Sequence, residues 1–276
     1  MLVVSFFAMK AQSVAIFKGE TPIAVHQSTE MDSIVFYTDG LSVTPPPAVD
    51  PDPDPEPEPD PSPEIKTDTI DAHWCALGTS ITYLNDHLEV TGDQVSAGYP
   101  TRVLKKLNFR QFSNRAVNGG VLAKAIDMVV MADVYTIEEG INDWGKKTEP
   151  GTFDDYLNNT KNNTFAANYR ILIDKIYETN PDAKVVMCTP RKGYGFNGYL
   201  PETWDQPING HYLREYVDLV RQIAEYEGIP VADFFNECGG QHNLHRLSYD
   251  VALHPNDAGC QLMANVLVQA LLKVLP

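Results

Sequence analysis

The sequence predicts an α/β fold: a three-layer α/β/α sandwich around a five-stranded parallel sheet, preceded by a small β-hairpin unit and a Pro/Asp/Glu linker. Three observations carry this. From Ile70 onward, short apolar runs alternate with stretches of helical periodicity. Of 20 prolines, ten fall between Pro45 and Pro63. Upstream of them, residues 14–38 hold β-rich runs and no helical period.

Residues 1–13 open with the apolar run Met1–Met9, then Lys10-Ala11-Gln12-Ser13. Nine apolar residues are too few to span a bilayer. Two readings stand: the back half of a secretory signal segment, with Ala11 at a cleavage point but no positive n-region, or an ordinary first strand. Residues 14–44 form a small β-rich unit. Val14–Phe17, a middle strand near Ile23–His26 and Ile34–Tyr37 are its strands, and Lys18-Gly19-Glu20 is a turn. Such a hairpin buries little by itself, so it is expected to pack on something else.

Residues 45–64 alternate Pro with Asp or Glu, and they carry seven carboxylates and no Lys or Arg. Proline fixes φ and removes backbone donors while the charges repel, so an extended polyproline II spacer is expected. At about 3.1 Å per residue its reach is on the order of 60 Å. It also carries seven of the net −16 charges of the 276-residue chain. With no basic cluster anywhere, nucleic acid is disfavoured as a partner. Residues 65–276 make the main domain, and the 43% hydrophobic fraction of the whole chain is enough to supply a core. No stretch reaches the length of a transmembrane helix.

In that domain the expected strands are His73–Leu77, Phe112–Val117, Val134–Glu138, Lys184–Thr189 and Pro230–Phe235. The expected helices are Ala97–Leu107, Leu122–Met131, Ala166–Glu178, Tyr212–Tyr226 and Asp257–Leu275. Strands and helices in alternation imply a parallel sheet covered on both faces. Ligands of such sheets bind at the carboxyl ends of the strands, so the loops there are where chemistry is sought. Cys75 and Cys188 lie in apolar strands and read as buried thiols, while a Cys238–Cys260 bridge stays open.

Four of those loops hold reactive or donor residues: Gly78-Thr79-Ser80, Asn114-Arg115-Ala116-Val117-Asn118-Gly119, Gly140-Ile141-Asn142-Asp143, and Asp250-Val251-Ala252-Leu253-His254. Each alone has a bland alternative. Ser80 fits a helix N-cap after a strand, His254 a core or capping residue, and Asp143 a brace for its own turn. Together and in this order they resemble the SGNH (GDSL-type) hydrolase family, esterases and lipases with a flavodoxin-like α/β/α fold, over roughly residues 70–276. The resemblance implies Ser80 as nucleophile, His254 as base, and Gly119 and Asn142 as oxyanion-hole donors beside the Ser80 N–H. It implies no cofactor and no metal. Three departures stand out. Thr79 replaces the Asp of Gly-Asp-Ser, and Ala116 replaces a Gly of the second block. The acid-to-His spacing is four residues rather than three, and Asp250 is the nearest acid upstream of His254.

The chemistry requires these residue types. A serine hydroxyl becomes a useful nucleophile when a neutral imidazole takes its proton, and a carboxylate holds that imidazole in the right tautomer. An ester carbonyl under attack develops negative charge, which backbone and amide N–H groups stabilise. The lack of Cβ at Gly119 admits the substrate close to the backbone. Trp144 either lines a substrate pocket or covers its loop. The long loop Arg191–Asn209 carries Tyr194, Phe196, Tyr199 and Trp204. Tyr194 and Trp204, with Trp144, are the expected substrate contacts, since aromatic rings suit stacking on sugars. The substrate expected is a small-molecule or polysaccharide ester, an O-acetyl group on carbohydrate first among them. Lipase, lysophospholipase or thioesterase activity on the same residues is the alternative, as is a catalytically weak carbohydrate-binding surface protein. His242 and His245 lack a carboxylate or Cys at ligand spacing and read as loop histidines. Asn158-Asn159-Thr160 and Asn162-Asn163-Thr164 match the glycosylation pattern. The spacer and the signal-like start place the domain outside the cytoplasm, secreted, periplasmic or at the cell surface.

Overall fold

The structure is a computed structural model that describes residues 13–18, 21–27, 69–196 and 198–275. These fall into two units, one within residues 1–62 and one from residue 63 onward. In the first, β1 (Ser13–Lys18) pairs antiparallel with β2 (Thr21–Gln27), in register from Ser13 opposite Gln27 to Lys18 opposite Thr21. The signal-like residues 1–12, the expected strand Ile34–Tyr37 and the linker 45–64 lie outside the described residues.

The second unit is built on five parallel strands: β3 (Ile70–Gly78), β4 (Phe109–Asn114), β5 (Val134–Glu138), β6 (Lys184–Cys188) and β7 (Val231–Ala232). Their order in the sheet is β4-β3-β5-β6-β7. The chain steps from β3 to β4 on one side, then crosses back to β5 on the other. Ligands of open α/β sheets bind at this reversal, beyond the carboxyl ends of the strands. Gly78 of β3 sits opposite Glu138 of β5, and Glu138 opposite Cys188 of β6, so these three ends are level.

Side chains alternate between the two faces of the sheet, and both faces are dry. Cys75, Leu77, Tyr135, Ile137 and Met187 join one core with the helices α6 (Phe165–Thr179) and α7 (Leu213–Glu227). Trp74, Ala76, Val134 and Val186 join a second core with α2 (Tyr99–Leu104) and α9 (Asp257–Leu271). Burial on both faces explains why these strands read as continuous apolar runs. All four cysteines are buried and free, which closes the question of a Cys238–Cys260 bridge.

The element ends differ from the sequence expectation where polar side chains capture the backbone. β4 begins at Phe109 and stops at Asn114, because the Asn114 side chain accepts from Ala116 N–H and donates to the Thr82 carbonyl, turning the chain. β7 is two residues long rather than six. Asp233 caps the short helix α8 (Phe234–Glu237), its carboxylate accepting from Asn236 N–H, so Phe234 and Phe235 are helical. The expected helix Leu122–Met131 is α3 (Leu122–Ala125) followed by a 3-10 turn, Ile126–Met128. The expected Ala97–Leu107 helix is confined to α2, and α9 ends at Leu271 rather than Leu275.

Candidate active site

Ser80 is placed by the end of β3. Thr79, not Ser80, is the N-cap of α1 (Ser80–Tyr83): its hydroxyl accepts from Ile81 N–H, and Ser80 is the first helical residue. Ser80 Oγ lies 2.9 Å from His254 Nε2, and both residues are 8% exposed. The His254 ring stacks on Tyr249 and takes the edge of Phe196, with ring centroids 5.7 and 5.1 Å apart. Its Nδ1 lies 2.6 Å from Asp250 Oδ2.

The extra residue between Asp250 and His254 is absorbed by the acid itself. Asp250 Oδ1 accepts the N–H groups of Leu253 and His254, at 2.9 and 3.0 Å, so the chain wraps around the carboxylate. Tyr249 N–H donates to the His254 carbonyl and Ser248 bridges to Pro255, which closes the loop at its base. Burial alone would raise the Asp250 carboxyl. The bond from His254 and the two backbone donors outweigh it and hold the group below the usual carboxylate range.

A buried guanidinium anchors this loop. Arg191, fully buried, donates to the carbonyls of Leu253 (2.9 Å), Leu247 (3.2 Å) and Cys238 (3.3 Å), and to Ser248 Oγ (3.1 Å). Desolvation pulls its pKa down to about 10, still charged at neutral pH.

Three N–H groups belong to the loops around Ser80, those of Asn142, Gly119 and Ser80 itself. Asn142 sits in the first turn of α4 (Ile141–Gly145), after Gly140, whose φ of +121° favours glycine and whose added Cβ would press on Phe165 and Pro190. Asn142 Nδ2 donates one proton to the Gly120 carbonyl at 2.8 Å, and the other meets no acceptor among the described residues. The Tyr199 hydroxyl lies over Asn142, shared between its main-chain carbonyl at 3.2 Å and its Oδ1 at 3.3 Å. Gly119 adopts φ +65°, with its carbonyl held by the Lys146 ammonium. Neither the Gly119 nor the Ser80 N–H meets an acceptor among the described residues. Asp143 accepts Leu122 N–H on both carboxylate oxygens, so it braces the 119–122 loop against α4. Burial pushes the carboxyls of Asp143 and Glu138 up to about 7 and that of Glu139 well above the ordinary range.

Ser80, His254, Asp250, Gly119 and Asn142 thus belong to loops gathered at one edge of the sheet. The expected substrate contacts are less uniform. Trp144 is not a pocket wall: it is fully buried and gives its indole N–H to the His211 carbonyl at 2.9 Å, so it supports the loop. Trp204 packs edge-on against Phe235 and lines a surface cleft with Asp205, Tyr212, Arg214, Glu215 and Asp218, none of them in the hydrogen-bonded triad. Tyr194 is half-buried on the same long loop. Tyr199, Phe196, Tyr249, Lys146 and Arg191 touch the site and were not singled out as site residues in the sequence. For Tyr249 the available signal was adjacency to Asp250. For Phe196 and Tyr199 it was the aromatic density of the Arg191–Asn209 loop.

A hydroxyl, an imidazole and a carboxylate in one hydrogen-bonded line, beside free N–H donors, can carry out acyl transfer. Comparison with known proteins agrees. Residues 76–262 match the model of the GDSL-like lipase/acylhydrolase family. A solved structure described as a possible lipase from Chitinophaga pinensis is 30% identical, with a TM-score of 0.65 over 74% of this chain and 99% of that one. A Lactobacillus plantarum protein shares the fold at 19% identity, with a TM-score of 0.63 over 75% of this chain and 99% of its own. A lipase/acylhydrolase from Enterococcus faecalis does so at 18% identity, with a TM-score of 0.50 over 74% and 97%. No curated protein matches the sequence. The chain belongs to the GDSL-like lipase/acylhydrolase family and is a serine ester hydrolase.

Proposed function

We propose that the enzyme removes short acyl groups, acetyl above all, from carbohydrate esters by way of an acyl-Ser80 intermediate. Ser80 Oγ attacks the ester carbonyl as its proton passes to His254 Nε2, and Asp250 steadies the imidazolium through Nδ1. The oxyanion meets the N–H groups of Ser80 and Gly119 and the free Nδ2 proton of Asn142. Collapse of the tetrahedral intermediate expels the sugar hydroxyl, which takes the proton from His254. A water then gives a proton to His254 and attacks the acyl carbon, and collapse restores Ser80.

The observation that carries the acyl preference is crowding. Phe196 and Tyr249 hem in His254, Tyr199 lies on Asn142, and Ser80 itself is only 8% exposed. That favours a small acyl group over a long chain. A sugar-bearing leaving group is suggested by the aromatic residues of the Arg191–Asn209 loop, of which Phe196 meets His254 and Tyr199 meets Asn142, since rings stack on aromatic faces. The acidic proline spacer supports placement of the domain at or outside the cell surface.

Turnover of p-nitrophenyl esters from acetyl to dodecanoyl, and of acetylated polysaccharides, checks this for wild type and Ser80→Ala. Ser80-dependent activity that is highest on acetyl and released as acetate from polysaccharide is expected. Activity rising with chain length would assign a lipase-type substrate instead. No Ser80-dependent turnover on any ester would leave a binding role.

A further inference from the structure

Glu138 lies at the carboxyl end of β5, opposite Gly78, and is completely buried. Its Oε2 accepts three hydrogen bonds from the turn that carries Ser80. Thr79 donates its hydroxyl at 2.8 Å and its N–H at 3.2 Å, the latter shared with the Glu138 main-chain carbonyl, and Thr82 donates its hydroxyl at 3.1 Å. A hydroxyl has a single proton to give. The Tyr99 hydroxyl, 2.7 Å from Thr82 Oγ1, is therefore the donor in that pair. A relay runs from Tyr99 through Thr82 to Glu138. The other carboxyl oxygen, Oε1, is buried and bonds to nothing among the described residues, so all of the hydrogen bonding of this acid goes to the turn.

The arrangement brackets the nucleophile. Thr79 precedes Ser80 and Thr82 follows it by two residues, and α1 is only four residues long. One oxygen of a neighbouring strand pins both ends of that single turn. Gly78 is part of the fit, because an added Cβ would collide with the Thr82 hydroxyl. Position 79 is also where the Gly-Asp-Ser motif carries an acid and this chain does not.

We propose that Glu138 is a positioning residue for ester hydrolysis, supplying from β5 the carboxyl that holds the 79–82 turn so that Ser80 Oγ stays in reach of His254. The proposal rests on Ser80 being the nucleophile. A misplacement of about 1 Å at a reacting atom can cost on the order of 10²-fold in rate. Glu138→Leu removes the acceptor, whereas the amide oxygen of Glu138→Gln can still take the same three bonds.

The test is steady-state kinetics on p-nitrophenyl acetate, with the folded fraction measured by circular dichroism. Folded Glu138→Leu is expected to lose roughly 10²-fold in kcat with KM within about twofold, and Glu138→Gln to recover kcat to within about fivefold of wild type. A merely structural acid would lower Tm and leave kcat per folded molecule alone. Should Glu138→Leu not fold, Thr82→Val removes one donor and leaves the acid in place, and Thr79→Val removes another together with the α1 N-cap. Each is expected to lower kcat by about three- to tenfold at unchanged KM. Wild-type kcat in folded Glu138→Leu, no recovery in Glu138→Gln, or wild-type kcat in both threonine variants would overturn the proposal. Turnover that survives Ser80→Ala removes the nucleophile assignment and this proposal with it. Ser80-dependent turnover indifferent to Glu138 overturns this proposal alone.

Discussion

Replacing Asp250 with Asn alters one atom and, on this geometry, removes the base. Asp250 Oδ1 accepts two backbone N–H groups, from Leu253 and His254. An amide at this position must keep its oxygen there, because its NH2 cannot face two donors. The NH2 is then directed at His254 Nδ1, where Oδ2 now lies 2.6 Å away. Nδ1 has to become an acceptor, the ring proton moves to Nε2, and Nε2 meets Ser80 Oγ as a donor instead of an acceptor. The loss expected is about 10³- to 10⁴-fold in kcat, equivalent to roughly 4–5.5 kcal/mol of barrier. Stability should fall by only about 1 kcal/mol, since a charge-assisted bond becomes a neutral one and the loop keeps both backbone contacts. Asp250→Ala, which loses those contacts as well, is expected to melt lower than Asp250→Asn. The assays are kcat on p-nitrophenyl acetate and Tm by calorimetry. An Asp250→Asn enzyme within tenfold of wild type would refute the tautomer argument.

Two further outcomes follow from the same structure. Asn142→Ala removes the proposed oxyanion donor and releases the Gly120 carbonyl, so kcat is expected to drop by about 10²- to 10³-fold in a protein with an unchanged circular dichroism spectrum; near-full turnover would remove Asn142 from the mechanism. His211 sits between Glu215 and Glu149, 2.9 Å from each, and the bond to Glu215 above all raises its pKa over the ordinary 6.5. A histidine raised in the folded state contributes stability that is complete below its unfolded pKa and fades as pH climbs through the folded one. The Tm difference between wild type and His211→Gln should therefore be greatest near pH 5–6 and shrink steadily above about pH 7; a difference that grows with pH contradicts this.

The parts of the molecule legible in the sequence were those written in local pattern. β5 is buried on both faces, and its apolar run marked its extent to the residue. Two of the candidate site loops were legible because a glycine turn at a strand end carries a polar side chain, Gly78 before Ser80 and Gly140 before Asn142. Two of the misread boundaries came from single polar residues: Asp233 starting a helix inside what reads as a strand, and Asn114 ending another. What the sequence could not show was long-range support. Arg191 reaches carbonyls 47 to 62 residues away, and Glu138 meets Thr79 across 59 residues. Neither pairing has a spacing that a one-dimensional pattern can express. Trp144 illustrates the converse, an aromatic beside the site motif that belongs to the core.

The central claim is that Ser80, activated by His254 and Asp250, is the nucleophile. Trapping with a fluorophosphonate, followed by peptide mass spectrometry, tests it directly, since only an activated serine is modified rapidly. One adduct per chain, on the peptide containing Ser80, is predicted, with loss of esterase activity in step with labelling and much slower labelling in Asp250→Asn. Inactivation with Ser80 unmodified, or stoichiometric labelling at another residue, would contradict the account.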